Sequence, residues 1–93
     1  MDVTEALKWY RAAAERGDAL AQYNLGMRYY EGNGLTANPV DAFQWLSLAA
    51  NQQMPDATKA LEQLKRTMNR DQIAEGRRRV TEFAPKINPG RNL

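Results

Sequence analysis

The sequence contains no histidine and no cysteine, and Ser47 is its only serine. These absences exclude Ser–His catalytic pairs, cysteine nucleophiles, disulfides and zinc sites built from cysteine and histidine. Carboxylates remain as candidates for acid–base chemistry, but no two of them are spaced to suggest a shared buried site. We therefore expect a protein with no catalytic residue, no metal and no cofactor.

Long hydrophobic runs are also missing. No stretch approaches the roughly 18 apolar residues that cross a membrane, and the first residues lack the basic and apolar regions of a signal peptide. We expect a soluble chain with no membrane partner. As written the sequence is expected in the cytoplasm, and in the periplasm or outside the cell only if a signal peptide has been removed.

What is present fits one small domain of 93 residues, 43% of them hydrophobic and 26% charged. The net charge of +2 is unevenly spread, because residues 1–58 carry −3 and residues 59–93 carry +5. The last third of the chain is therefore the part that could attract an anionic partner.

The chain repeats itself with a period of 36 residues, which places its only two tryptophans, Trp9 and Trp45, in register. The other identical pairs are Ala6 and Ala42, Ala13 and Ala49, Ala14 and Ala50, Ala21 and Ala57, and Leu25 and Leu61. A period in this range is typical of solenoid proteins, in which each repeat hides its apolar side by stacking on a neighbour.

Within each unit the apolar residues follow a helical period, and local signals mark the helix ends. Gly17 suits a left-handed position after a helix, Asn38 and Pro39 suit an N-cap and first turn, and Asn69 with Gln72 resembles a capping box. The predicted helices are residues 3–16, 19–30, 39–51, 55–68 and 70–83, with Pro85 ending the last.

These helices predict an all-α fold, a right-handed α-solenoid of two helical hairpins and a C-terminal capping helix. The predicted domain is 1–84. Within it, repeat one spans about 2–37, repeat two about 38–69 and the capping helix about 70–84, followed by a flexible tail at 85–93.

Residues 6–35 carry W-Y, A-A, A-Q, L-G and G-x-G elements at the spacing of the Sel-one-like repeat (SLR) family, a relative of the tetratricopeptide repeats. The resemblance covers about residues 2–84. Tetratricopeptide units themselves are shorter and lack the extra glycines. The capping helix resembles those that close SLR arrays, although these usually have threonine and proline at the start and alanine where Gly76 stands. The resemblance implies a non-catalytic scaffold that binds a protein or peptide segment in a concave groove.

By analogy with related solenoids, the outward face of the first helix of each hairpin lines that groove. The candidate partner-binding residues are Lys8, Arg11, Ala12, Glu15, Gln44, Ser47, Leu48 and Asn51. Leu48 is the most informative of them, because it lies on the polar side of its helix, where either a partner contact or an isolated exposed leucine accounts for it. The aromatic residues, Trp9 and Trp45 included, are expected to pack between hairpins.

Three consecutive arginines, Arg77, Arg78 and Arg79, form a basic patch and favour an alternative function, binding of nucleic acid or of an acidic partner. Against a phosphate site, they point across about 200° of the helix, and Glu75 and Glu82 interleave with them at ion-pair spacing.

The N-terminal end of the stack has no recognisable cap. We expect the edge formed by Val3, Leu7, Tyr10 and Ala14 to be exposed and covered by upstream repeats or by a second copy in a homodimer. On that expectation Leu7→Glu would convert a dimer to a monomer. If the edge is instead buried inside the monomer, the same substitution would unfold the chain.

Overall fold

A computed structural model describes residues 3–32 and 36–87, and every regular element within them is a helix. The five helices are α1 (Val3–Glu15), α2 (Ala19–Glu31), α3 (Pro39–Asn51), α4 (Pro55–Lys65) and α5 (Arg70–Ile87). The all-helical prediction is confirmed. Over the same residues, no helix is both long enough and apolar enough to span a membrane.

Side-chain caps fix where three helices begin. The Asp18 carboxylate accepts a hydrogen bond from the Ala21 amide at 2.9 Å, and Asn38 Oδ1 accepts bonds from the first-turn amides of α3. Asn69 and Gln72 each accept a bond from the other's backbone amide, at 2.8 and 2.9 Å. The predicted Asn38 cap and the predicted capping box are both confirmed.

Two predicted helix ends are wrong. The α4 helix ends at Lys65 rather than at residue 68, because the chain tightens into bonds such as Thr67 N–H to Leu64 C=O while Met68 stays in the core. The α5 helix continues through Pro85 to Ile87, since a proline in the final turn removes only one donor. Residues 88–93 of the predicted tail lie outside the described residues.

The turn inside each hairpin contains one residue with a left-handed backbone. Gly17 has φ of 98° and Gln53, 36 residues later, has φ of 70°. Both hairpins therefore use the same turn, and the position predicted for Gly17 is confirmed. Glycine adopts this conformation without a Cβ clash, whereas glutamine is strained there.

Gln53→Gly is expected to stabilise the protein by about 0.5–1 kcal/mol, because relief of the left-handed strain exceeds the extra freedom of glycine in the unfolded chain. Urea unfolding followed by circular dichroism measures the change. The reciprocal substitution Gly17→Gln should destabilise the equivalent turn by a similar amount. An unchanged or lower midpoint for Gln53→Gly would contradict the argument.

The central element is α3, which packs on α2, α4 and α5. Its backbone approaches α2 closely, since a Cβ at Gly26 would lie 2.8 Å from Leu46 Cγ. The predicted role of Gly26 in close helix packing is therefore confirmed. Because three helices surround α3, seven of its thirteen residues are buried, more than on any other helix for which burial is described.

A buried glutamine ties the two hairpins together. Gln22 Nε2 donates to the Ala14 carbonyl at 3.1 Å, and Gln52 Nε2 donates both to Gln22 Oε1 and to the Gly17 carbonyl. The fully buried side chain therefore has partners at both ends, as its desolvation requires.

Candidate partner-binding cleft

Helix α5 lies across one face of α3 and is anchored at three points. Phe83 packs edge-on against Trp45 with ring centroids 5.2 Å apart, and Gly76 lies directly against the Phe43 ring. Between them Arg79 Nη1 contacts Asp41 Oδ1 at 2.6 Å. The capping helix is thus fixed on α3 by two apolar contacts and one ion pair.

This packing overturns the prediction that Leu48 faces a partner. Leu48 is only 4% exposed and belongs to a core cluster with Trp45, against which Val80 and Phe83 also pack. Ser47, on the same side of α3, is buried as well. The polar side of α3 on a helical wheel is the side that α5 covers, so an apolar residue there enters the core.

The remaining predicted groove residues divide by exposure. Ala12 and Gln44 are half-buried, and the exposed members are Lys8, Arg11, Glu15 and Asn51. Arg11 Nη2 donates a hydrogen bond to the Tyr29 hydroxyl at 2.5 Å, which engages it with its own hairpin.

A cleft of about 370 Å³ opens between α4 and α5, because both helices pack on α3 but hardly touch each other. We call it the C-terminal cleft. It is lined by Phe43, Ser47 and Asn51 of α3, Leu61 and Lys65 of α4, and Arg77, Val80 and Thr81 of α5. Two predicted groove residues, Ser47 and Asn51, thus meet one residue of the predicted basic patch, Arg77.

The three arginines of the basic patch have different environments. Arg78 bonds both Glu75 and Glu82, and Arg79 bonds Glu75 and Asp41, so two of the three charges are paired. The hydrogen bonds from Arg78 and Arg79 hold the pKa of the exposed Glu75 carboxyl below its usual value. Arg77 has no ion pair within the described residues and faces the cleft.

The cleft therefore combines an apolar floor with two cations. Phe43, Leu61 and Val80 supply the apolar surface, while Lys65 and Arg77 lie at the walls. No acidic side chain lines the cleft in the part of the chain that the structure describes, and neither cation is ion-paired there. In that same part no three acidic side chains gather as metal ligands would.

Comparison with known proteins settles the family. The model of the Sel1 repeat matches residues 2–18 and 19–54. The chain belongs to the Sel1 repeat family. Sel1 repeats are non-catalytic units that generally mediate protein–protein interaction.

Two curated relatives share the repeat. Chitin synthase regulatory factor 3 of Schizosaccharomyces pombe is 44% identical over 59 residues, which are 63% of this chain and 6% of that protein. The sel1-like repeat-containing protein L18 of Acanthamoeba polyphaga mimivirus is 43% identical over 42 residues, 45% of this chain and 7% of that protein. The chain spans a small part of the length of each relative.

The two tryptophans shared by the Sel1 repeats have opposite environments. Trp45 is 4% exposed, as predicted for packing between hairpins, whereas Trp9 is 66% exposed and the prediction for it is wrong. Trp45 lies among residues of α1, α2 and α5, but α1 packs closely only on α2. Register in a repeat predicts an equivalent position without guaranteeing an equivalent neighbour.

The predicted open edge of α1 is also wrong. Leu7 and Ala14 are buried in the first core cluster, and Tyr10 packs against that cluster with the Arg28 guanidinium 5.6 Å from its ring centroid. The side chain of Val3 lies outside the described residues. The apolar arc of α1 is wide, and α2 covers the side that holds Leu7 and Ala14.

Sequence reasoning missed Lys65 as a site residue, although the repeat contains a signal for it. Arg11 and Tyr29 bridge the first hairpin, and their repeat equivalents 36 residues later are Ser47 and Lys65. In the second hairpin both equivalents line the C-terminal cleft instead. A short side chain replaces a long bridging one, and this leaves space beside α5.

Proposed function

We propose that this protein is a non-catalytic interaction module that binds an acidic protein segment, with one apolar anchor residue, in the C-terminal cleft. The observation that carries the proposal is the pairing of an apolar floor with two unpaired cations, Lys65 and Arg77, on opposite walls. Ser47 and Asn51 add neutral hydrogen-bonding groups beside them. This replaces the predicted groove, of which only Ser47 and Asn51 line the cleft.

The size of the cleft supports a peptide anchor rather than a whole domain. At about 370 Å³ it is at the small end of ligand pockets, which run from about 300 to 1,000 Å³. One Leu-, Ile- or Phe-sized side chain fills such a space, and flanking carboxylates would reach the cations at the walls. Buried apolar anchors supply most of the affinity at interfaces, while charges at the rim govern register and specificity.

The charges favour an acidic protein over nucleic acid. Nucleic-acid affinity comes from several Lys and Arg side chains that each neutralise a phosphate. Arg78 and Arg79 are already paired with carboxylates of α3 and α5, so two of the three arginines of the basic patch are not available. The apolar floor is, in addition, of little use to a phosphate backbone.

Selection of peptides from a phage-displayed random library tests the proposal. We expect enriched peptides to place Asp or Glu next to Leu, Ile or Phe. The double substitution Lys65→Glu with Arg77→Glu should weaken an enriched peptide about tenfold, because attraction at both walls becomes repulsion. Fluorescence anisotropy of the labelled peptide measures the affinity, which should also fall with added salt.

The matched control is Lys59→Glu with Arg70→Glu, which makes the same charge change on α4 and α5 at exposed positions outside the cleft. It should leave the affinity within about twofold, since distant exposed charges are screened. Enrichment of neutral or basic peptides, or equal losses in both double variants, would refute the cleft. Tight binding of a single-stranded oligonucleotide with a steep salt dependence would favour the nucleic-acid alternative.

A further inference from the structure

The outer face of α1, formed by Ala6, Trp9 and Ala13, is uncovered although its repeat equivalent is core. The equivalents are Ala42, Trp45 and Ala49 of α3, each 36 residues later. Ala42 and Ala49 are fully buried and Trp45 is 4% exposed, whereas Ala6 and Ala13 are half-buried and Trp9 is 66% exposed. The same side-chain pattern is thus packed in one repeat and open in the other.

The structure shows what covers this pattern on α3. The preceding hairpin does so, since Trp45 lies in a cluster with Leu7 and Ala14 of α1 and with Ala21 and Leu25 of α2. On the neighbouring strip of α3, Tyr23 and Met27 of α2 pack against the cluster that contains Ala42 and Leu46. Gly26 allows the close approach there, because a Cβ at that position would lie 2.8 Å from Leu46 Cγ.

We propose that the outer face of α1 docks a Sel1-type helical hairpin of a partner protein, whose second helix lies on α1 as α2 lies on α3. The partner helix needs a small residue at the crossing and apolar or aromatic neighbours on either side of it. Burial of the Trp9 ring would remove about 150–250 Å² of largely apolar surface from water. This inference concerns the opposite end of the molecule from the C-terminal cleft and does not depend on it.

A second copy of the chain cannot supply that hairpin. Its α2 is already used by its own α3. Its α4 is the repeat equivalent of α2, but it has Thr58, Lys59 and Glu62 where α2 has Gln22, Tyr23 and Gly26. These three residues of α4 are exposed, and they place charge and bulk at the crossing instead of a glycine. Head-to-tail stacking of identical chains is therefore disfavoured.

A tandem fusion tests the proposal on the full chain. Residues 1–36 are joined directly before residue 1, so that the 36-residue period is kept and Asp2 takes the N-cap position that Asn38 has before α3. With 5-fluorotryptophan incorporated, the ¹⁹F signal of the original Trp9 is assigned by its loss in a Trp9→Phe variant. We expect its solvent isotope shift, large in the unfused chain, to fall to the value for Trp45.

The matched control changes Gly26→Glu in the added copy only, which gives the added helix the residue that α4 has at the same position. It should leave the original Trp9 exposed. The proposal is overturned if Trp9 stays exposed in the unmodified fusion, whether or not the added residues become helical. It is equally overturned if the unfused chain sediments as a dimer that Trp9→Ser converts to a monomer, because the occupant would then be a second copy.

Discussion

Leu48→Glu is expected to unfold the protein. Leu48 is 4% exposed in the core cluster beneath α5, so the substitution removes a packed side chain and places a carboxylate among apolar neighbours. Loss of a buried leucine costs about 2–5 kcal/mol, and an unpaired buried charge adds several more. A domain of this size is stable by about 5–14 kcal/mol, so most or all of that stability is lost. Circular dichroism at 25 °C and thermal melting detect the change.

Leu20→Glu is the matched control, because Leu20 is 59% exposed on α2. Surface substitutions of this kind alter stability by about 0.5 kcal/mol or less, and the melting temperature should stay within a few degrees of the parent value. If Leu48→Glu were as mild as Leu20→Glu, Leu48 would face solvent and the predicted groove on α3 would have to be reinstated.

Gly76→Ala is expected to destabilise the protein although alanine is the better helix former. Propensity alone favours the change by about 1 kcal/mol. A Cβ at position 76 would however lie 2.8 Å from Phe43 Cγ, and closer still to Cδ1 of the same buried ring. Overpacking of this kind costs about 1–3 kcal/mol and leaves a net loss of about 1 kcal/mol or more. Urea unfolding at constant pH measures it.

The compensating substitution is Phe43→Leu, which places at position 43 the residue found at its repeat equivalent, Leu7. Alone it should destabilise by leaving a cavity beside Gly76. Combined with Gly76→Ala it should cost less than the sum of the two single changes, with a coupling of about 1 kcal/mol. Additive effects would mean that α5 does not rest on Phe43 at this glycine.

The sequence by itself determined the elements that depend on neighbouring residues in the chain. The Asn38 cap, the Asn69–Gln72 capping box and the left-handed Gly17 are local hydrogen-bonding or backbone preferences, and each is confirmed. The 36-residue register likewise determined the family. The end of α5 is the local exception, because Pro85 near the end of a helix removes one bond but does not stop it.

Only the tertiary structure decided which faces of those helices are covered. A helical wheel shows that α1 has a wide apolar arc, but the position of α2 determines that Leu7 and Ala14 are buried while Trp9 is exposed. Leu48 is core for the same reason, since α5 crosses the polar side of α3. The C-terminal cleft also arises from placement, because two helices that share a support without touching leave space between them. Burial depends on distant partners, and one helix's sequence period does not contain their positions.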